Sequence, residues 1–400
     1  MINLETPEYL NNLRSSMNNL ASGVLRPVSR KYDICEHEYP KELDIFRGMS
    51  ILGRPKKKKN DSAADDKSGG SSKTKKGINL STVATIEELC WGDAGLLLSI
   101  PNAGLGNAAI AAVASDEQLE RYGKKWAAMA ITEPGSGSDS GSITSTAKLD
   151  GDEWVLNGEK IFVTCADRSD VVVVWANIDK GAGKSGIKPF IVEKGTPGFK
   201  LEHLENKLGI RACDTGTFVM DDCRIPRDNI LGSAEVSKDV EGFKGVMKTF
   251  DNTRPMVASM ATGIARAAVD FTREKIEESG IKLDYKKNLN NVSSIEKEFY
   301  LMEANLEAMR LLVWRAAWMA DNEQFNNVEA SMAKAKAGRY GTLITQKCCE
   351  LLGPLGFTKE YLAEKWMRDS KIMDIFEGTG QIQHLIIARN VLGYSSKDLK

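Results

Sequence analysis

The sequence has no Cys-x-x-Cys pair, and its three histidines, His37, His203 and His384, stand far apart. No zinc-ligand spacing is therefore on offer, and no metal is expected. It has no run of about 18 apolar residues, so no membrane-spanning helix is expected. The stretch Met1 to Leu20 is polar and lacks the apolar centre of a signal peptide. Net charge is nearly absent: 54 Lys and Arg stand against 55 Asp and Glu. That balance gives no electrostatic case for binding nucleic acid or a membrane surface. Cysteines number seven, at Cys35, Cys90, Cys165, Cys213, Cys223, Cys348 and Cys349. An odd count at irregular spacing reads as free thiols in a reducing, cytoplasmic setting.

What is present is ordinary globular material. The chain has 400 residues, 42% hydrophobic and 27% charged, enough for two or three domains with a core that needs no disulfides. From about Pro7 to Ser115 the apolar spacing is helical. Leu10, Leu13, Met17, Leu20 and Val24 recur at that spacing before Pro27, which is expected to end the helix. Further helices are expected over Ser81 to Trp91, with Ser81 as N-cap, and over Gly106 to Ser115. Between them, Arg54 to Gly77 carries four consecutive lysines and no large apolar residue. Such a stretch cannot bury enough surface to offset its chain entropy, and is expected to be a mobile surface loop.

The middle of the chain changes period. Trp154 to Leu156, then Asn157-Gly158, then Lys160 to Val163 reads as a hairpin, since Asn-Gly suits a two-residue turn. Val171 to Ile178, Lys188 to Glu193 and Gly216 to Met220 read as further strands. From Val240 onward five helical segments follow, Val240 to Glu278, Ser294 to Asn322, Asn327 to Leu352, Tyr361 to Ile375 and Gln381 to Val391, with short connections that suit an antiparallel bundle. The expected division is an N-terminal α-helical domain over 1–125 with a polar insert at 54–77, a β domain over 126–235 and a helix bundle over 236–400.

Two long stretches carry a resemblance. Ile131-Thr-Glu-Pro-Gly-Ser-Gly-Ser-Asp139 resembles the TEPGxGSD signature of acyl-CoA dehydrogenases, and Gly356 to Gln383 resembles their C-terminal signature. Asn157 to Thr164 and Phe250 to Pro255 fit as well. The resemblance runs from about residue 8 to the end, apart from the insert. It implies an α+β fold, mostly α: an N-terminal helical domain, a middle antiparallel β domain and a C-terminal four-helix bundle. It also implies bound FAD and the α,β-dehydrogenation of an acyl-CoA thioester to a trans-2-enoyl-CoA, of the short- or medium-chain type. The product flavin would pass electrons to an electron-transferring flavoprotein, and the assembly would be a homotetramer.

That reaction needs a base for a weakly acidic α-proton, a stabilised enolate oxygen and an electron sink. Glu377 lies in Phe376-Glu-Gly-Thr379, at a break between helices where backbone N–H groups stay free. The resemblance implies that Glu377 is the base, with Arg254 beside it. It implies that Ser138, Asp251, Arg254 and Gly378 face the acyl-CoA. For FAD it implies Thr132 at the pyrimidine edge, Phe162 against the ring in place of a more usual tryptophan, Thr164 near the reactive nitrogen, and Thr379 and Gln381 on the ribityl and pyrophosphate portion. Gly135, Gly137 and Gly141 do not have dinucleotide-fingerprint spacing, and no βαβ unit surrounds them.

The chain also departs from the family pattern. Where a neighbouring subunit usually offers FAD an arginine, an aromatic-Gly pair and a glutamine, this sequence has Lys282, Tyr285 followed by Lys286, and Glu350. Lysine neutralises a phosphate without the two-pronged geometry of arginine, and a carboxylate near pyrophosphate repels it. Looser FAD binding follows as an expectation. Two alternatives stay open: a same-fold oxidase or desulfinase, and a weakly active subunit paired with a paralogue. Leu97, Leu98, Ser99 and Ile100 are expected to line the acyl-tail pocket.

Overall fold

A computed structural model of the chain describes residues 6–46, 77–102, 104–236, 242–394 and Asp398, without the side chains of residues 242–252 and 289. The expected loop over 54–76 lies outside the described residues.

Helix α1 (Glu8–Leu20) runs through a wider turn, Ala21–Leu25, directly into α2 (Arg26–Ile34). Pro27 does not end a helix as expected. It sits just after the wider turn, at the start of α2, and the helix passes through it. Helix α3 (Ile78–Gly92) begins earlier than expected. The Ser81 N–H donates to the Gly77 carbonyl at 2.9 Å, so Ser81 is inside the helix and is not its cap. Then come α4 (Ala94–Leu98), capped by the Asp93 carboxylate, α5 (Leu105–Val113) and α6 (Asp116–Tyr122), which opens on a Ser115–Gln118 capping box. Helix α3 is buried on nearly every side although it carries Glu87 and Glu88. Arg14, Arg266 and Arg310 neutralise both carboxylates, with Arg310 Nη2 2.8 Å from Glu87 Oε1 and Arg266 Nη1 2.7 Å from Glu88 Oε1.

Among the described residues, seven strands form one sheet: β1 (Ala127–Ala130), β2 (Thr146–Asp150), β3 (Glu153–Thr164), β4 (Val171–Asn177), β5 (Ile187–Glu193), β6 (Phe199–Leu204) and β7 (Thr215–Pro226). Their order is β1-β4-β2-β3-β7-β6, with β5 also paired to β4. Pairing is antiparallel except where β4 runs parallel to β1 and, at one position, to β2. The Asn157-Gly158 hairpin is not formed. Strand β3 runs straight through it and pairs with β7 on both sides, with a register slip between Leu156 and Gly158. A bulge needs the same backbone freedom as a tight turn, which is why the dipeptide misleads. Gly158 has φ +138°, and a Cβ there would lie 2.4 Å from Ser145 Oγ. The actual hairpin joins β2 to β3 through Gly151, at φ +61°.

The C-terminal part is a bundle of α7 (Gly242–Glu278), α8 (Ser294–Asp321) and α9 (Asn327–Leu352), followed by α10 (Pro354–Phe357), α11 (Ala363–Ser370) and α12 (Gly380–Leu392). The helix expected over Tyr361 to Ile375 is split into α11 and a tight turn over Lys371–Asp374. One apolar core joins the N-terminal helices to the bundle through residues such as Leu89, Ile264, Phe299 and Met309. A second lies along the sheet, around Trp154, Val172, Phe190 and Phe218. The loop before β7 docks on α11. The Ile210 N–H donates to Asp369 Oδ1 at 2.6 Å, and a Cβ on Gly209 would come within 2.4 Å of the Arg368 carbonyl oxygen. Asp369 is itself held by Lys365, whose buried ammonium also lies 2.7 Å from Asp93.

Candidate active site

After the Lys371–Asp374 turn the chain bends through Glu377 and Gly378, at φ +57° and +86°. A left-handed backbone at glutamate costs free energy, so its surroundings must hold it there. Two buried donors do so. Lys334 Nζ and Gln383 Nε2 each lie 3.1 Å from the Gly378 carbonyl oxygen. A side chain at Gly378 would collide with Gln383 Nε2, at 2.5 Å. Thr379 then caps α12, its hydroxyl accepting the Ile382 N–H at 3.4 Å.

Glu377 is half-buried, and its Oε2 accepts the Thr253 hydroxyl of α7 at 3.1 Å. Burial raises the proton affinity of this carboxyl above the ordinary glutamate value. The Thr253 hydrogen bond and the positive charges of Lys334 and Arg254 pull it back only in part. Lys334 is fully buried, and burial brings its ammonium down to about 8 against the opposing pull of Asp374 and Glu377. Arg254, also buried, donates to Asn327 Oδ1 at 2.6 Å and to Ser331 Oγ at 3.4 Å, both on α9. Arg254, Gly378 and Thr379 thus stand around Glu377. The side chain of Asp251 lies outside the described residues.

The sheet presents a second group. The Ile161 N–H donates to the Thr132 carbonyl at 2.9 Å, which sets Thr132 beside the strand that carries Phe162 and Thr164. A second slip in the β3–β7 register, between Lys160 and Val163, leaves Phe162 at φ +58° and 61% exposed, and Thr164 is exposed as well. An open aromatic ring between two hydroxyl-bearing residues suits a planar heteroaromatic ring such as a flavin. Glu133 holds this loop. Its carboxylate accepts the Thr144 and Ser145 N–H groups at 2.6 and 3.0 Å and pairs with buried Lys160 at 2.6 Å. Ser138 is exposed on the same loop.

The remaining expected FAD residues lie on the bundle. The Tyr285 hydroxyl donates to Glu303 at 2.6 Å and accepts from Arg273 at 3.0 Å. Glu350 pairs with Lys347 at 2.7 Å, its own helix neighbour, while Lys282 and Gln381 are exposed. Among the described residues, no hydrogen bond or ion pair joins these four to Thr132, Phe162 or Thr164. Of the four expected tail-pocket residues, Leu97, Ser99 and Ile100 are buried, and the Ser99 hydroxyl accepts from Arg168 at 2.9 Å. Only Leu98 stays partly open, beside Trp126, Cys165 and Cys213.

Sequence reasoning missed Thr253, Lys334, Gln383 and the Glu133–Lys160 pair. Thr253 was within reach, since it stands in the Phe250 to Pro255 stretch. Glu133, Lys160 and Gln383 stand in the other quoted stretches and were equally within reach; Lys334 carries no local signal, because a buried lysine in a helix reads like a surface one. It also missed the buried Cys165, Cys213 and Asp214 cluster, whose donor atoms lie within 4.8 Å of one another. The Asp214 carboxylate there is engaged by Arg168 at 3.1 Å and by the Asp167 N–H at 2.8 Å.

Similarity to known proteins follows the same division. The acyl-CoA dehydrogenase middle domain matches residues 128–223, and the acyl-CoA dehydrogenase C-terminal domain matches residues 240–392. The bovine mitochondrial short-chain specific acyl-CoA dehydrogenase is 35% identical, over 97% of this chain and 91% of that protein. The caffeyl-CoA reductase-Etf complex subunit CarC of Acetobacterium woodii is 37% identical, over 78% of this chain and 83% of that protein. The solved butyryl-CoA dehydrogenase of Megasphaera elsdenii superposes with a TM-score of 0.81 at 30% identity, covering 98% of this chain and all of that one. The chain is an oxidoreductase that belongs to the acyl-CoA dehydrogenase family, which is FAD-dependent.

Proposed function

We propose that the protein dehydrogenates a short-chain acyl-CoA to the trans-2-enoyl-CoA, with Glu377 removing the α-proton. The observation that carries this is the placement of Glu377. Its carboxylate sits half-buried in a left-handed turn, with raised proton affinity, on the Thr253 hydroxyl. A base works best when its proton affinity approaches the working pH, and burial moves Glu377 in that direction. Arg254 and Lys334 keep the ionised form accessible by supplying positive charge nearby. The backbone N–H of Glu377 is assigned to the thioester oxygen, and Ser138, Asp251 and Gly378 to the rest of the acyl-CoA.

FAD, when bound, supplies the electron sink for the β-hydride. Thr132, Phe162 and Thr164 would hold its ring system, and Thr379 and Gln381 its ribityl and pyrophosphate portion. Lys282, Tyr285 and Glu350 would reach the cofactor of a neighbouring subunit. The three domains are taken as 1–125, 126–235 and 236–400. A homotetramer is supported by the open apolar positions of α12, where Leu385, Val391 and Leu392 are about half exposed or more. An electron-transferring flavoprotein is the proposed acceptor, supported by a relative named as a subunit of a reductase-Etf complex. Among the described residues no helix is long and apolar enough to cross a membrane, and we assign the protein to the cytoplasm.

A second reading is favoured by that same relative and by one named 3-(aryl)acrylate reductase. The reaction could run toward reduction of an enoyl thioester, with Glu377 returning the α-proton. The test is dye-linked oxidation of butyryl-CoA and reduction of crotonyl-CoA by the FAD-loaded protein, each with Glu377→Gln. The amide keeps the shape but carries no base, so both activities should fall by at least about 100-fold while flavin stays bound. Near-wild-type turnover would remove Glu377 from the mechanism.

A further inference from the structure

Helix α9 turns one face toward the proposed base. Asn327, Ser331 and Lys334 fall at i, i+4 and i+7, so they share that face. Asn327 and Ser331 hold the Arg254 guanidinium, and Lys334 holds the Gly378 carbonyl. Among the described residues, the charged and polar groups around Glu377 are Thr253 and Arg254 from α7 and Lys334 from α9, and Asp374 from the preceding turn acts on Lys334. A fully buried lysine is costly unless its charge is used. Among the described residues, no carboxylate lies within salt-bridge distance of the Lys334 ammonium; its hydrogen-bond partner is a neutral carbonyl, in the turn that carries Glu377.

We propose that Lys334 is a positioning residue for the reaction. Its ammonium pins the Gly378 carbonyl and so fixes the left-handed turn at Glu377, and its charge favours the ionised carboxylate from behind that turn. Gln383 is the second clamp on the same oxygen, donating without a charge. This division of labour explains two donors on one carbonyl: the amide supplies shape, and the lysine supplies shape and field. The inference rests on the reading of Glu377 as the base.

The two roles separate in the pH dependence of dye-linked turnover. Lys334→Met removes donor and charge in a similar volume. It should lower kcat by about 10- to 100-fold with KM nearly unchanged, since the loss falls on the reacting geometry. It should also move the acid limb of kcat/KM upward by about one pH unit, the low end for removal of a nearby opposite charge. Lys334→Gln restores a donor without a charge. It should recover most of kcat and leave the limb displaced, which a merely structural lysine would not do. Wild-type kcat with an unmoved limb in Lys334→Met, beside an inactive Glu377→Gln, would overturn the role of Lys334 alone. An active Glu377→Gln would instead remove the base reading beneath it.

Should Lys334→Met fail to fold, the wild-type protein still decides the matter. With 13C-labelled glutamate, the Glu377 carboxyl signal, assigned by its absence in Glu377→Gln, should show a second step near pH 8, where Lys334 loses its proton at about 8. A single-step titration would overturn the field role.

Discussion

Thr253 and Glu377 meet across 124 residues of sequence, the hydroxyl of one donating to the carboxylate of the other at 3.1 Å. The bond exists only with the ionised acid as acceptor at full strength, so it lowers the proton affinity that burial raises. Thr253→Val keeps the volume and loses the bond. The acid limb of kcat/KM is expected to move up by about one unit, the equivalent of one charge-assisted hydrogen bond. A pH series of initial rates checks this.

Lys160 and Glu133 form a buried pair under the loop that carries Thr132. Burial alone would raise the Glu133 acid, but bonds from Lys160, Ser145 and Thr144 outweigh it and bring it down to about 2. A depressed carboxyl contributes stability above its unfolded value, and that contribution is lost as pH falls through the window from about 4.5 to 2. Lys160→Met strands the carboxylate. It is expected to cost about 3–5 kcal/mol near neutral pH, and the cost should shrink as pH falls and the stranded carboxylate takes up a proton. Adding Glu133→Gln should recover part of the loss. Urea titrations at several pH values measure both.

Gly158 stands against Ser145 in the β3 bulge. An alanine there would bring Cβ within 2.4 Å of Ser145 Oγ and 2.8 Å of its Cα, at a φ of +138° that side chains rarely adopt. Gly158→Ala is expected to destabilise the protein by about 1–3 kcal/mol. Ser145→Gly in the same chain should remove the contacts with Oγ and Cβ but neither the approach to the Cα nor the backbone strain, so rescue should be partial. Thermal unfolding of the three variants checks the order.

Lys347 neutralises Glu350 at 2.7 Å, which changes the expectation for the proposed FAD contact between subunits. Glu350→Gln alone should alter cofactor retention little. Lys347→Met, which exposes the carboxylate charge, should lower it, and Lys282→Arg should raise it. Both effects should weaken in high salt, because exposed charges are screened over about 10 Å at 0.1 M. The flavin-to-protein absorbance ratio after dialysis at two salt concentrations is the measurement.

The bundle helices are legible from sequence because they are long, amphipathic and bounded by caps such as Ser293. So are β4, β5 and β7, where apolar runs meet turn residues. The misreadings share a cause. Pro27, Ser81 and Gly158 are residue types with a strong positional meaning, and each sits one structural step from where that meaning is usual. Glu377, Arg254 and Thr132 are legible through motifs. Gln383 and Lys160 stand in those motifs as well; Lys334 stands in none, and its burial is decided by partners from distant segments. Nothing local distinguishes an inward lysine on α9 from an outward one.

The bond from the Ile210 N–H to Asp369 ties the sheet to the chain only eight residues before Glu377. The proposed hydride acceptor rides on the sheet, and the proposed proton acceptor rides on that short segment. Their spacing is thus governed by a short seam: the Ile210 bond to Asp369, the Arg368 guanidinium donating to the Leu208 carbonyl at 2.8 Å, and Gly209 packed against the Arg368 carbonyl. A change of length between Asp369 and Glu377 would therefore displace the proposed base relative to the sheet.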